Sequence, residues 1–171
     1  MNIVKVINNN VVSAHNDSGI EVVIMGKGIG FQKKPGDIID KDKIEKIFSL
    51  SKEHTDVFEE LVEKMPYEHI RMADKAITYA SRILGHTLNR NIYITLTDHL
   101  NFAIERQKKG ISLQNVLLWE IKKYYTPEYE VGLDIIRMVD EELHVKLAED
   151  EAGFIALHIV NAEMEGNNNL D

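Results

Sequence analysis

The spacing of apolar residues changes character near residue 50. Before that point the chain is a series of short β-branched runs: "IVKVI" (3–7), "VVSAH" (11–15) and "EVVIM" (21–25). Runs of this length and composition predict three strands. They are separated by the turn-forming stretches "NNN" (8–10) and "NDSG" (16–19). A fourth short strand is expected around 30–33, and a last one near "IEKIFSL" (44–50). The result is a small antiparallel sheet of roughly 50 residues, too small to bury much apolar surface alone. It is therefore expected to pair with a second copy about a two-fold axis.

Beyond residue 50 the apolar spacing becomes helical. "DVFEELVEKM" puts Val57, Phe58, Leu61, Val62 and Met65 on one face. Pro66 opens a second helix to about residue 84, with Gly85 as its stop. A third covers about 92–108 and ends in "RQKKG", where cations suit a helix C-terminus. Another follows from Ser112. Thr126 reads as the cap of the next, with Pro127 at its first position. A last helix spans about 149–163, its "EDE" first turn matched to the helix dipole. The fold expectation is α+β in two domains: a small antiparallel β-sheet domain, then an all-α bundle of five or six helices.

Composition sharpens this division. The 171 residues carry a net charge of −8, which taken alone argues against a nucleic-acid partner. Residues 1–55, however, have a net charge of +1 with lysines bunched at one loop, while residues 56–171 have −9. The 44% apolar content supports a real core. With no cysteine there is neither a disulfide nor a thiolate metal site, in keeping with a reducing cytoplasm. No apolar run reaches membrane length, and the N-terminus has no signal-peptide pattern.

The loop "VVIMGKGIGFQKKPGD" (22–37) poses the chemical question. A dinucleotide fingerprint needs a helix after its glycine turn, but Pro35 and Gly36 make a second turn instead. A phosphate-cradling loop is thereby disfavoured. What remains is a side-chain-poor backbone at Gly26, Gly28 and Gly30, flanked by Lys27, Phe31, Gln32, Lys33 and Lys34. Phenylalanine can stack on a base, glutamine can bond a base edge, and lysine neutralises phosphate. A plain hairpin with solubilising lysines fits the same residues.

Two histidines stand out among the helices. His99 falls beside Leu96, Leu100 and Ala103 at helical spacing, and His158 beside Phe154, Leu157 and Asn161. On spacing alone, each can be a packed core histidine or a working one. His15, His54, His69 and His86 read as surface residues and Trp119 as core. Only one Glu-x-x-His pair occurs, Glu141 with His144, so no di-metal site is expected. No nucleophile with its partners is visible, so no enzyme activity, metal or other cofactor is expected.

The pieces "VINNNVVSAHN", "VVIMGKGIGFQKKPGD" and "IEKIF" resemble the RNA-binding domain of BglG/SacY/LicT-type transcriptional antiterminators. "YITLTDHLNFAIERQKKGI", "NVLLWEIKKYY" and "DEAGFIALHIVNAE" resemble the first PTS regulation domain of the same family. The resemblance implies a dimeric RNA-binding domain over 1–55, a linker or first helix start over 56–65, and a regulation domain over 66–165. Residues 166–171 would be a tail or a linker to a second regulation domain. The implied function is antitermination: binding a leader-RNA hairpin and preventing formation of the overlapping terminator. The RNA-facing residues would be Lys5, Asn8, Asn10, Gly26, Lys27, Phe31 and Gln32. Position 27 is often arginine in the family; lysine keeps the charge but lacks the planar fork. His99 and His158 would be the phospho-accepting histidines, with the phosphocarrier HPr and a sugar-specific enzyme II as donors. A cytoplasmic homodimer is implied, with no DNA partner and no membrane insertion. The competing expectation is a phosphorylation-dependent protein-interaction module that does not bind RNA.

Overall fold

A computed structural model describes the backbone of residues 1–168 and the side chains of residues 1–164. The chain divides into two compact units, Met1–Tyr67 and Glu68–Asp171. The first is the expected small sheet. Strands β1 (Ile3–Asn8), β2 (Val11–His15), β3 (Glu21–Met25) and β4 (Lys46–Phe48) form an antiparallel meander in the order β1-β2-β3-β4.

The two central strands are buried on both faces, because alternate residues point to opposite sides. Val12, Ala14, Val22 and Ile24 join Ile3, Ile29 and Ile39 in one core. On the other face Ser13, Val23 and Phe48 stand in register across three strands. That face is covered by helix α1 (Lys52–Val62), whose Phe58 ring lies 4.7 Å from the Phe48 ring. Ser51 starts α1 by accepting a hydrogen bond from the His54 backbone N–H. The cover expected from a second copy is thus supplied in part by the chain itself. Val57, expected on the apolar face of this helix, is half exposed, while Phe58, Val62 and Met65 are buried.

The strand expected around 30–33 does not form; the fourth strand is the one at 46–48. Residues 27–32 are turns, with Gly28 and Gln32 in left-handed backbone conformations that no strand accommodates.

The second unit is all-helical: α2 (Tyr67–Leu84), α3 (Ile92–Lys108), α4 (Leu118–Tyr124), α5 (Thr126–Leu143) and α6 (Glu149–Asn168). Helices α2, α3, α5 and α6 enclose a core that includes Ala76, Leu96, Leu100, Ile135, Ile155 and Ile159. Gly85 and Gly110 end α2 and α3 with positive φ, as their positions predict. The helix expected from Ser112 begins only at Leu118. The Asn115 N–H donates to Asp150 Oδ2 at 2.6 Å, and Asn115 Oδ1 accepts from the Leu117 N–H at 3.0 Å. Those bonds compete with helical ones. Thr126 does not cap α5; its hydroxyl donates back to the Lys122 carbonyl at 2.6 Å. Trp119, expected in the core, is 64% exposed because α4 turns Ile121 inward instead. Helix α6 continues past residue 163, and residues 169–171 of the expected tail lie outside the described residues. Among the described residues no helix is long and apolar enough to cross a membrane.

Because Phe58 is 1% exposed and touches the sheet through Phe48, Phe58→Ala should cost about 3–5 kcal/mol. Denaturant unfolding followed by a probe in the sheet unit measures this. A loss below about 1 kcal/mol would show that α1 does not cover the sheet in solution.

Candidate functional site

The asparagine turn and the glycine loop of the sheet unit are joined by hydrogen bonds. Asn8 Oδ1 accepts from the Asn10 N–H at 2.8 Å, closing the β1–β2 turn. Asn10 Oδ1 accepts from the Gly28 N–H at 2.8 Å. The Gly26 N–H reaches the Asn10 carbonyl at 3.0 Å, and the Gly30 N–H reaches the Asn9 carbonyl at 2.9 Å. A Cβ on Gly26 would stand 1.8 Å from the Lys43 carbonyl oxygen, and one on Gly30 would stand 2.3 Å from that of Asn8. These two glycines let the loop approach its own chain. They are buried, so the close approach to an external partner expected of them is taken up internally.

The seven RNA-facing candidates therefore fall into three groups. Lys27, Phe31 and Gln32 point outward from the loop; Phe31 is 55% exposed, and Gln32 has φ +56°. Asn10 and Gly26 hold the loop in shape. Lys5 and Asn8 face α1. Lys5 Nζ lies 3.2 Å from Glu59 Oε1 and 3.5 Å from Glu21 Oε1. Asn8 Nδ2 donates to the carbonyls of Val62, at 3.3 Å, and Glu63, at 2.9 Å. The carboxylates of Glu21, Asp56 and Glu59 lie within 4.8 Å of one another, a spacing that could hold a cation, and Lys5 already serves as one. The hydrogen bond from Lys5 and burial oppose each other at Glu59. Burial wins, and the carboxyl sits above its ordinary range. The bond to Glu59 raises the Lys5 ammonium.

In the helical unit, the two histidines on separate helices come together. Their ring centroids are 4.9 Å apart, and His99 also lies 5.8 Å from Phe154. The junction is built from two matched faces. His99 and Arg106 are seven residues apart on α3, as are Glu151 and His158 on α6, a separation of two helical turns. His99 Nε2 lies within hydrogen-bond distance of Glu151 Oε2, at 2.8 Å, and Arg106 donates to Glu151 Oε1 at 3.0 Å. Glu151 is 6% exposed. Burial, and next the proximity of His99, depress His158 to about 4 from 6.5, against an opposing pull from Glu151. The His158 ring is therefore neutral near pH 7 and carries a nucleophilic lone pair.

Glu151 and Arg106 are the site residues that the sequence pattern concealed, since both lie where helix-dipole partners are expected. His69, expected at the surface, is 4% exposed on α2, its Nδ1 2.6 Å from Asn101 Oδ1. His144 caps the end of α5 in a left-handed conformation, so it ends the helix instead of extending a Glu-x-x-His face.

Comparison with known proteins matches the model of the CAT RNA binding domain over residues 1–56 and that of the PRD domain over residues 74–162. The chain belongs to the BglG/SacY/LicT-type antiterminator family. That family is one of transcription antiterminators, not of enzymes. The chain is 50% identical to the transcription antiterminator LicT of Bacillus subtilis over 96% of its own length and 60% of that protein. It is 46% identical to the beta-glucoside operon antiterminator of Dickeya chrysanthemi, over 96% of this chain and 59% of that one. It thus spans less than two thirds of these relatives. A crystal structure of GlcT CAT-PRDI superposes with a TM-score of 0.80 at 39% identity, covering 95% of this chain and 97% of the other.

Two outcomes follow from this geometry. Gly26→Ala and Gly30→Ala should each cost about 1–3 kcal/mol or more, the range for overpacking a closed site, whereas Lys27→Ala should stay within about 0.5 kcal/mol. Thermal unfolding of the three variants distinguishes scaffold from surface. For His158, the unfolded chain binds a proton below about pH 6.5 that the folded chain refuses until about pH 4. Stability should therefore be intact above pH 6.5 and fall through that window, by at most a few kcal/mol at about 1.4 per unit. His158→Gln should show a shallower fall between pH 6.5 and 4. Equal slopes in urea titrations of the two proteins would contradict a buried neutral ring.

Proposed function

We propose that this chain is an RNA-binding transcriptional antiterminator unit under phosphohistidine control. The observation that carries the reading is the outward loop at Lys27, Phe31 and Gln32, hydrogen-bonded to the asparagine turn, within the segment matched by the CAT RNA binding domain. Phe31 offers a stacking face to an unpaired base, Gln32 an amide for a base edge, and Lys27 a charge for the backbone. Asn8, Asn10 and Gly26 shape the platform, and Lys5 is a phosphate contact that must leave Glu59 to act. The target is a leader-RNA hairpin whose occupancy prevents terminator formation, as the relatives' names as antiterminators support. Two copies working as a homodimer would double the basic surface and fit a hairpin with repeated contacts.

His99 and His158 are the phosphoryl acceptors in this reading, and HPr and a sugar-specific enzyme II of the sugar phosphotransferase system are the donors. Two imidazoles in contact beside a carboxylate and a guanidinium form a site whose balance a phosphate dianion would upset. The setting is the cytoplasm, where the nascent transcript is made.

The decisive experiment is binding of the full chain to an RNA hairpin from a terminator-overlapping leader, titrated against salt beside Phe31→Ala. Affinity should fall steeply with salt, and the variant should lose about 1–3 kcal/mol. A well-folded chain with no salt-dependent affinity would instead indicate an interaction module that does not bind RNA.

A further inference from the structure

We propose that Glu151, held by Arg106, is a positioning residue that makes Nδ1 of His99 the atom that accepts phosphate. This rests on the phosphoacceptor reading of the histidine pair and specifies its chemistry. His99 Nε2 lies 2.8 Å from Glu151 Oε2. An ionised carboxylate accepts hydrogen bonds and cannot donate one, so Nε2 carries the ring hydrogen and Nδ1 holds the lone pair. Among the described residues no hydrogen bond occupies Nδ1.

The carboxylate is itself fixed. Arg106 donates to its other oxygen at 3.0 Å, and both side chains are largely buried, at 7% exposure for Glu151 and 16% for Arg106. Each oxygen of Glu151 thus has its own donor, and the carboxylate cannot turn without breaking both bonds. His158, with its ring 4.9 Å from that of His99, has no such hydrogen bond among the described residues, so nothing fixes its tautomer.

The transfer step balances with these groups. The Nδ1 lone pair forms the new N–P bond while the bond from phosphorus to the donor's nitrogen or sulfur breaks. The donor leaves with that electron pair. The imidazole becomes cationic, and its Nε2–H already points at Glu151, whose charge stabilises it. The proton stays shared between Nε2 and the carboxylate, so no additional base is needed.

Ring nitrogen NMR of the unphosphorylated full chain should find His99 in the Nε2–H tautomer. Phosphoramidate, a small donor that needs no protein partner, should then phosphorylate His99. Peptide mapping should locate the phosphate, and phosphorus NMR should identify the isomer as 1-phosphohistidine, the Nδ1 adduct. In Glu151→Gln, Arg106 keeps the amide oxygen and the amide nitrogen turns toward Nε2. That variant should show the opposite tautomer, with Nδ1 protonated and Nε2 occupied by the amide, and phosphorylation of His99 slower by on the order of 10- to 100-fold. Phosphate on Nε2 of wild-type His99, or on His158 alone, would overturn the assignment while leaving the pair as acceptors. Phosphate on neither histidine would overturn the acceptor reading itself. The wild-type tautomer and isomer decide the matter even if the variant fails to fold.

Discussion

A four-stranded sheet of this size has two faces and too little chain to cover both, and that constraint organises the first unit. One face is closed by residues of the loops, Ile29 and Ile39, over Val12 and Ile24. The other is closed by α1 through Phe58 on Phe48. Burying a phenylalanine contributes about 1.5–3 kcal/mol, so the helix is held firmly. Its placement then dictates the polar contacts. Glu59 is carried beneath Lys5, and the last carbonyls of α1 reach the Asn8 amide. Lys5 and Asn8, two of the proposed RNA contacts, are thus engaged because a hydrophobic face had to be closed.

Both units bury a carboxylate, and they treat it differently. Glu59 has one oxygen on Lys5 and the other without a hydrogen-bond partner among the described residues. Burial raises its carboxyl despite the bond from Lys5. Glu151 has a donor on each oxygen. A buried carboxylate with both oxygens satisfied is a rigid fixture, whereas one left half satisfied is poised for rearrangement. That contrast suits the proposed roles: Glu151 orients a reacting ring, and Glu59 restrains a lysine that must be released to meet phosphate.

Periodicity revealed most of this architecture. The three long strands, the stops at Gly85 and Gly110, and the extent of α3 follow from local patterns, because strand alternation and helix capping are local physics. What stayed hidden depended on partners distant in sequence. Trp119 looked like core, since an apolar run does not say which side of a short helix faces inward. His69 looked like surface because its partner Asn101 lies a helix away. At the histidine junction, spacing placed His99 and His158 beside apolar stripes but could not bring them together. Arg106 and Glu151 each had a sufficient local explanation at a helix end, and that explanation hid their bond to one another. The glycines at 26 and 30 suggested an outside partner, whereas the atoms they approach are the chain's own carbonyls.

If His99 accepts phosphate as proposed, the charge of Glu151 also bears on which nitrogen would carry it. On Nε2 it would replace the hydrogen bond to Glu151 and place a near-dianion against a buried carboxylate. At about 4 Å and an effective dielectric near 20, each pair of like unit charges costs about 4 kcal/mol. Whole-domain stability is only about 5–15 kcal/mol, so that adduct would threaten the fold of the helical unit. On Nδ1 the phosphate stands across the ring from Glu151, and the Nε2–H bond survives. The imidazolium between the two anions then screens one from the other. In the proposed chemistry, the arrangement that orients the ring for attack is therefore also the one that would let a modified protein remain folded, with the added charge free to act on the surrounding helices.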